Sequence, residues 1–145
     1  MIMYKKILIT SDGSESNKYA IDDGLNLAKS IGAEVTALCV FDIGSYANVA
    51  QGYGLGDERG YMMEASEEAL KYVLEKGKEL GVKVTPKIIS GRPADSIVEE
   101  SKNYDLVVCG TLGRTGVSRA LVGSVAEKVV RMSYCPVLVC RKMTE

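Results

Sequence analysis

Asp105-Leu106-Val107-Val108-Cys109-Gly110 is a run of β-prone apolar residues opened by an aspartate and stopped by a glycine. A strand without polar alternation buries both faces, as strands do in a parallel sheet covered by helices. Working outward, similar runs occur at Lys6-Ile7-Leu8-Ile9-Thr10, Val35 to Phe41, Val82 to Ile89 and Pro136-Val137-Leu138-Val139-Cys140. Helical periodicity fills the gaps. Ala20, Gly24, Leu27, Ala28 and Ile31 share a stripe, with Ser14 placed as cap, Glu15 suited to the positive end and Gly32 as terminator. Leu70, Val73, Leu74 and Gly77 mark a helix over roughly Glu64 to Leu80, closed by Gly81. Pro93 opens a short helix carrying Ala94, Ile97 and Val98, and another runs from about Ser124 to Met132. Pro86 marks the third strand as an edge.

The expected fold is α/β: a single doubly wound open sheet of five mainly parallel strands, with helices on both faces. Residues 1–145 fit one domain with one core. Between the second strand and its helix, Tyr46 to Tyr61 contains Gly52, Gly54, Gly56 and Gly60 without periodicity. We read about 44–62 as a flexible Gly/Tyr loop.

Composition narrows the partners. Hydrophobic residues make up 46% and charged residues 26%, with a formal net charge of −1 and no concentrated basic stripe. Nucleic-acid binding is therefore not expected. Apolar runs are too short to cross a bilayer, and nothing ahead of Tyr4-Lys5-Lys6-Ile7 reads as a signal peptide, so a cytoplasmic protein without a membrane partner is expected. Cys39, Cys109, Cys135 and Cys140 form no C-x-x-C pair, and histidine is absent, so no metal site is predicted. The thiols read as free and structural, in a reducing compartment. The missing histidine also removes the commonest general base near neutral pH.

Sheets of this kind bind ligands beyond the carboxyl ends of their strands, where the strand order reverses. That rule selects the loops after Thr10, Val40 and Cys109. The third of these contains Gly110, Gly113 and Gly116 at intervals of three, then Gly123-Ser124 at a helix start. Glycine amides can approach an anion closely, and the positive end of a helix is a ready phosphate site. The glycines could equally serve turns alone. No G-x-x-x-x-G-K-[ST] or G-x-G-x-x-G occurs, which sets aside the P-loop and the dinucleotide fingerprint.

The pattern Gly110-x-x-Gly113, nine residues, then Gly123-Ser124 resembles the ATP-binding signature of the universal stress protein family. Lys5-Lys6-Ile7-Leu8-Ile9-Thr10-Ser11-Asp12-Gly13-Ser14-Glu15 resembles its opening strand and acidic turn, and Ser133-Tyr134-Cys135-Pro136-Val137-Leu138-Val139 its closing strand. The resemblance implies an adenine nucleotide alpha hydrolase-like fold that binds ATP. It implies Thr10, Asp12 and Val40 beside the base or ribose. It further implies phosphates along Gly110, Thr111, Gly113, Arg114 and Gly116, closed off by Gly123, Ser124 and Val125. A magnesium or manganese ion would be held mainly by phosphate oxygens and water. Asp12 has an alternative reading as a turn residue bonding its own backbone, and Arg114 as a solvated surface arginine. Family members commonly dimerise through the last strand, here Pro136 to Cys140.

No lysine, histidine or second carboxylate is placed for phosphoryl transfer near the glycine loop, so no catalytic residue is assigned. The expected role is a nucleotide-dependent switch or sensor in stress response, with slow or no hydrolysis and an unidentified protein partner. Two alternatives stand beside it. One is a dimeric interaction protein of the same family that binds no nucleotide. The other is a flavodoxin-like flavin module using the hydroxyls after Thr10 and the tyrosines at 46, 53 and 61.

Overall fold

A computed structural model describes residues 4–42, 58–111 and 122–141. Its elements are β1 (Lys6–Thr10), α1 (Lys18–Ile31), β2 (Glu34–Phe41), α2 (Glu58–Leu80), β3 (Val84–Ser90), α3 (Pro93–Glu100) with a 3-10 turn at Ser101–Asn103, β4 (Leu106–Gly110), α4 (Ser124–Met132) and β5 (Val137–Cys140). All five strands pair in parallel, in the order β3-β2-β1-β4-β5. The expected doubly wound α/β sheet is therefore the observed one. Order reverses between β1 and β4, because the crossovers from β1 lead one way and the crossover into β4 leads the other.

Alternation along the strands divides the core. Ile7 and Ile9 pair with Val35 and Ala37 on one side and Leu106 and Val108 on the other, packing under Ile21, Leu25 and Ala28 of α1 and Leu70 and Val73 of α2. Leu8, Leu38 and Val107 face the opposite way, under Ile97 of α3 and Val129 of α4. Both faces are covered, which is why the strands read as unbroken apolar runs.

Two sequence expectations need correction. The first helix starts at Lys18, not at Ser14: the Ser14 hydroxyl accepts the Asn17 amide at 3.3 Å and caps a separate turn ahead of α1. Gly32 does end α1, in the left-handed region at φ 71°. The helix α2 begins at Glu58 rather than near Glu64, so the last residues of the expected 44–62 loop are helical. The helix runs through Gly60, a residue that weakens helices intrinsically. The rest of that loop lies outside the described residues.

Candidate functional site

Thr10 ends β1, and the chain then turns sharply before α1. Ser11 is buried; its amide donates to the Leu38 carbonyl at 2.8 Å and its hydroxyl to the Ala69 carbonyl at 2.7 Å. The Asp12 carboxylate accepts the Ser14 amide at 2.9 Å and the Ser14 hydroxyl at 2.6 Å. This is the turn-forming use of aspartate. Gly13 follows at φ 81°, a left-handed conformation that side chains resist. Strand β1 and this loop thus hold Thr10 and Asp12 at the carboxyl edge of the sheet.

Across the switch point, β4 delivers Gly110 and Thr111. The Gly123 amide donates to the Thr111 carbonyl at 2.6 Å, bringing the start of α4 back against the end of β4. The first intrahelical bond of α4 runs from the Glu127 amide to the Gly123 carbonyl. The amides of Ser124, Val125 and Ala126 therefore precede the helical ladder, at the positive end of the helix dipole.

A cavity of about 440 Å³ lies between these two walls. Thr10, Asp12, Val40, Gly110, Thr111, Gly123, Ser124 and Val125 all line it, so the structure gathers eight of the predicted residues around one space. Gly113, Arg114 and Gly116 lie outside the described residues. The cavity is chemically polarised. Asp12 and Asp42 are at the β1 and β2 side and the α4 start is at the β4 side, and among the described lining residues there is no lysine or arginine. Cys39 and Cys109 are part of the lining, and burial pushes the Cys109 thiol up to about 11, which leaves it protonated and unreactive near neutral pH.

Two glycine arguments from sequence need revision. Gly123 has φ −62°, and its amide is bonded to Thr111 rather than exposed to a ligand. Gly110 has no positive φ, and a Cβ there would make only ordinary contacts of 3.7 Å or more with Asn17 and Ala20. Their role in the lining does not come from conformations closed to other residues. Sequence reading also missed several wall residues, including Asn17, Met62, Ala65, Pro93 and Ile97. Met62 fell within the expected loop, and the residues of α3 were not among the loops singled out by the switch-point rule. Pro93, at the first helical turn after β3, was the one available signal, since β3 also ends on this edge.

Residues 3–141 match the family model described as the universal stress protein family. The chain belongs to the universal stress protein family. It is 43% identical over 144 residues to a universal stress protein of Methanocaldococcus jannaschii, covering 97% of this chain and 84% of that one. Among solved structures, a universal stress protein in complex with cAMP superposes with a TM-score of 0.72 at 22% identity, covering 97% of this chain and 99% of that one. A family member from Arabidopsis thaliana with AMP bound gives 0.68 at 20% identity, covering 97% and 93%. At those identities the two structures establish the shared fold.

Proposed function

We propose that this universal stress protein binds ATP in the cavity between β1 and β4 and acts as a nucleotide-dependent switch or sensor, with slow or no hydrolysis. The observation that carries the reading is the polarised cavity. Carboxylates on one side suit hydroxyl and amino donors of a ribose and base, and the start of α4 on the other suits an anion. Its volume falls in the range of small-molecule sites. The adenine nucleotides named for the related solved proteins support the choice of ligand.

In this arrangement Thr10, Asp12 and Val40 contact the base or ribose. Gly110, Thr111, Ser124 and Val125 face the phosphates, together with Gly113, Arg114 and Gly116. The hydroxyl of Ser124 and the first amides of α4 fit a phosphate, and bound triphosphate would carry its magnesium or manganese on its own oxygens and water. Among the described residues no cluster of histidine, cysteine, aspartate and glutamate could hold a metal alone. In this reading the protein orients the nucleotide, and among the described residues the lining carboxylates, Asp12 and Asp42, stand at the base-and-ribose end rather than beside the phosphates. We further propose a homodimer paired through Pro136 to Cys140 and a cytoplasmic setting, consistent with four free cysteines. Among the described residues no helix is long and apolar enough to cross a membrane.

Calorimetric titration with ATP, ADP, AMP and cyclic AMP, with and without magnesium, tests the reading. One site per chain is expected, with magnesium strengthening ATP binding, and turnover below about one per minute against the ~10 s⁻¹ typical of enzymes. Absence of binding by every adenine nucleotide would favour the interaction-protein alternative instead.

A further inference from the structure

Asn17 stands at the N-cap of α1 and is 5% exposed. An asparagine in that position normally turns its side-chain oxygen onto the amides of the first helical turn. Here no such bond forms. Instead Oδ1 accepts the Asp12 amide at 3.0 Å, and Nδ2 donates to the Thr10 carbonyl at 3.1 Å. One primary amide thus bridges the residues on either side of Ser11. The reverse orientation would face donor with donor and acceptor with acceptor, so hydrogen bonding fixes it. The same residue abuts Gly110 across the switch point, where an added Cβ would lie 3.7 Å from Nδ2. With its backbone already helical at φ −74°, ψ −21°, Asn17 is not in a cap conformation, and its side chain serves as a latch on the loop.

We infer that Asn17 is a positioning residue for the base-and-ribose end of the cavity: its two side-chain hydrogen bonds set where Thr10 and Asp12 stand, and neither goes to the phosphate end. This rests on the proposed nucleotide site. The phosphate end is built by β4 and α4 and has its own closure, the Gly123-to-Thr111 bond, in which Asn17 takes no part.

The test compares wild type with Asn17→Ala, using ATP, adenosine and tripolyphosphate as probes. Loss of two hydrogen bonds that hold the loop should weaken ATP and adenosine about tenfold, with tripolyphosphate unchanged. Equal weakening of all three probes would mean general loosening and would overturn the inference, as would no change in any. A second measurement needs no nucleotide: amide hydrogen exchange of Asp12 should accelerate in Asn17→Ala while the amides of Asp22 to Ala28 keep their protection. Unchanged exchange at Asp12 refutes the latch even if nucleotide binds. A wild type that binds no adenine compound, with Asp12 released in the variant, refutes the site reading and the positioning role but leaves the latch standing. Should Asn17→Ala fail to fold, Asn17→Ser, uncharged and too short to bridge both partners, carries the same comparison.

Discussion

Asp105 ties the start of β4 to β1. Its Oδ2 accepts the amides of Lys6 and Lys5, each at 2.9 Å, and these bonds hold its carboxyl below the ordinary carboxylate range. A depressed folded-state value means that the stabilisation is complete above the unfolded value, near pH 4, and is lost as pH falls through the folded one. Asp105→Asn should therefore cost about 1 kcal/mol at neutral pH, and the cost should shrink in acid. Urea melts of both proteins between pH 7 and pH 3 measure the difference; a constant gap across that range would refute the assignment. The cysteines give a second expectation. Burial raises Cys109 to about 11 and is the main cause raising Cys140 to about 12, so both should resist iodoacetamide at pH 8 until the chain is unfolded. Rapid native alkylation at either, followed by mass spectrometry, would contradict it. Individual residues were only partly legible in the sequence. Asp12 had two readings, turn former and ligand contact, and the structure gives it the turn while also lining the cavity with it. Asn17 was invisible, because nothing in a sequence distinguishes a helix cap from a loop latch made by the same side chain.

Elements were the most legible level, and their exceptions have physical causes. Strands β1 and β4 and helix α4 fall where the apolar runs and the Gly123-Ser124 start placed them, since each is specified by local pattern and bounded by a breaker. Helix α2 begins earlier than the sequence expectation because 58–62, with Gly60 among them, carries no apolar stripe to mark it. Glycines within helices show the reverse problem, a residue whose cause lies in another element. Gly24 of α1 rests directly on the sheet: a Cβ there would stand 2.7 Å from Ile9 Cδ1 and 3.2 Å from Val108 Cγ1. Alanine would raise helix propensity by roughly 1 kcal/mol, yet it must push α1 off two fully buried side chains, at a cost of ~1–3 kcal/mol. We expect Gly24→Ala to be net destabilising by thermal melt, whereas Asn26→Ala on the exposed face of the same helix should be close to neutral. A stabilised Gly24→Ala would show that α1 does not sit against the sheet as closely as this.

At the scale of the molecule the two edges of the sheet are treated differently. On β3 the outer positions Thr85, Pro86 and Lys87 are exposed; proline and lysine are the residues that discourage a further strand from adding. On β5 the sequence is Val137-Leu138-Val139-Cys140, with neither, and Leu138 remains 39% exposed. The chain leading into β5 adds Val130 at 52%, Met132 at 53% and Tyr134 at 65%. An apolar edge beside a protected one is an edge that another copy could cover, and a two-fold axis would let the same strand satisfy it. This asymmetry supports the proposed homodimer. It predicts that wild type sediments above its 15.6 kDa chain mass at micromolar concentration, with a melting temperature that rises with protein concentration. Leu138→Lys places on β5 the device that β3 already has. It should raise the dimer dissociation constant about tenfold or more while leaving the monomer folded, because the side chain is already half in solvent. Sedimentation velocity on the two proteins decides it: a wild type that stays monomeric, or a Leu138→Lys variant that dimerises as well as wild type, places the assembly surface elsewhere than β5.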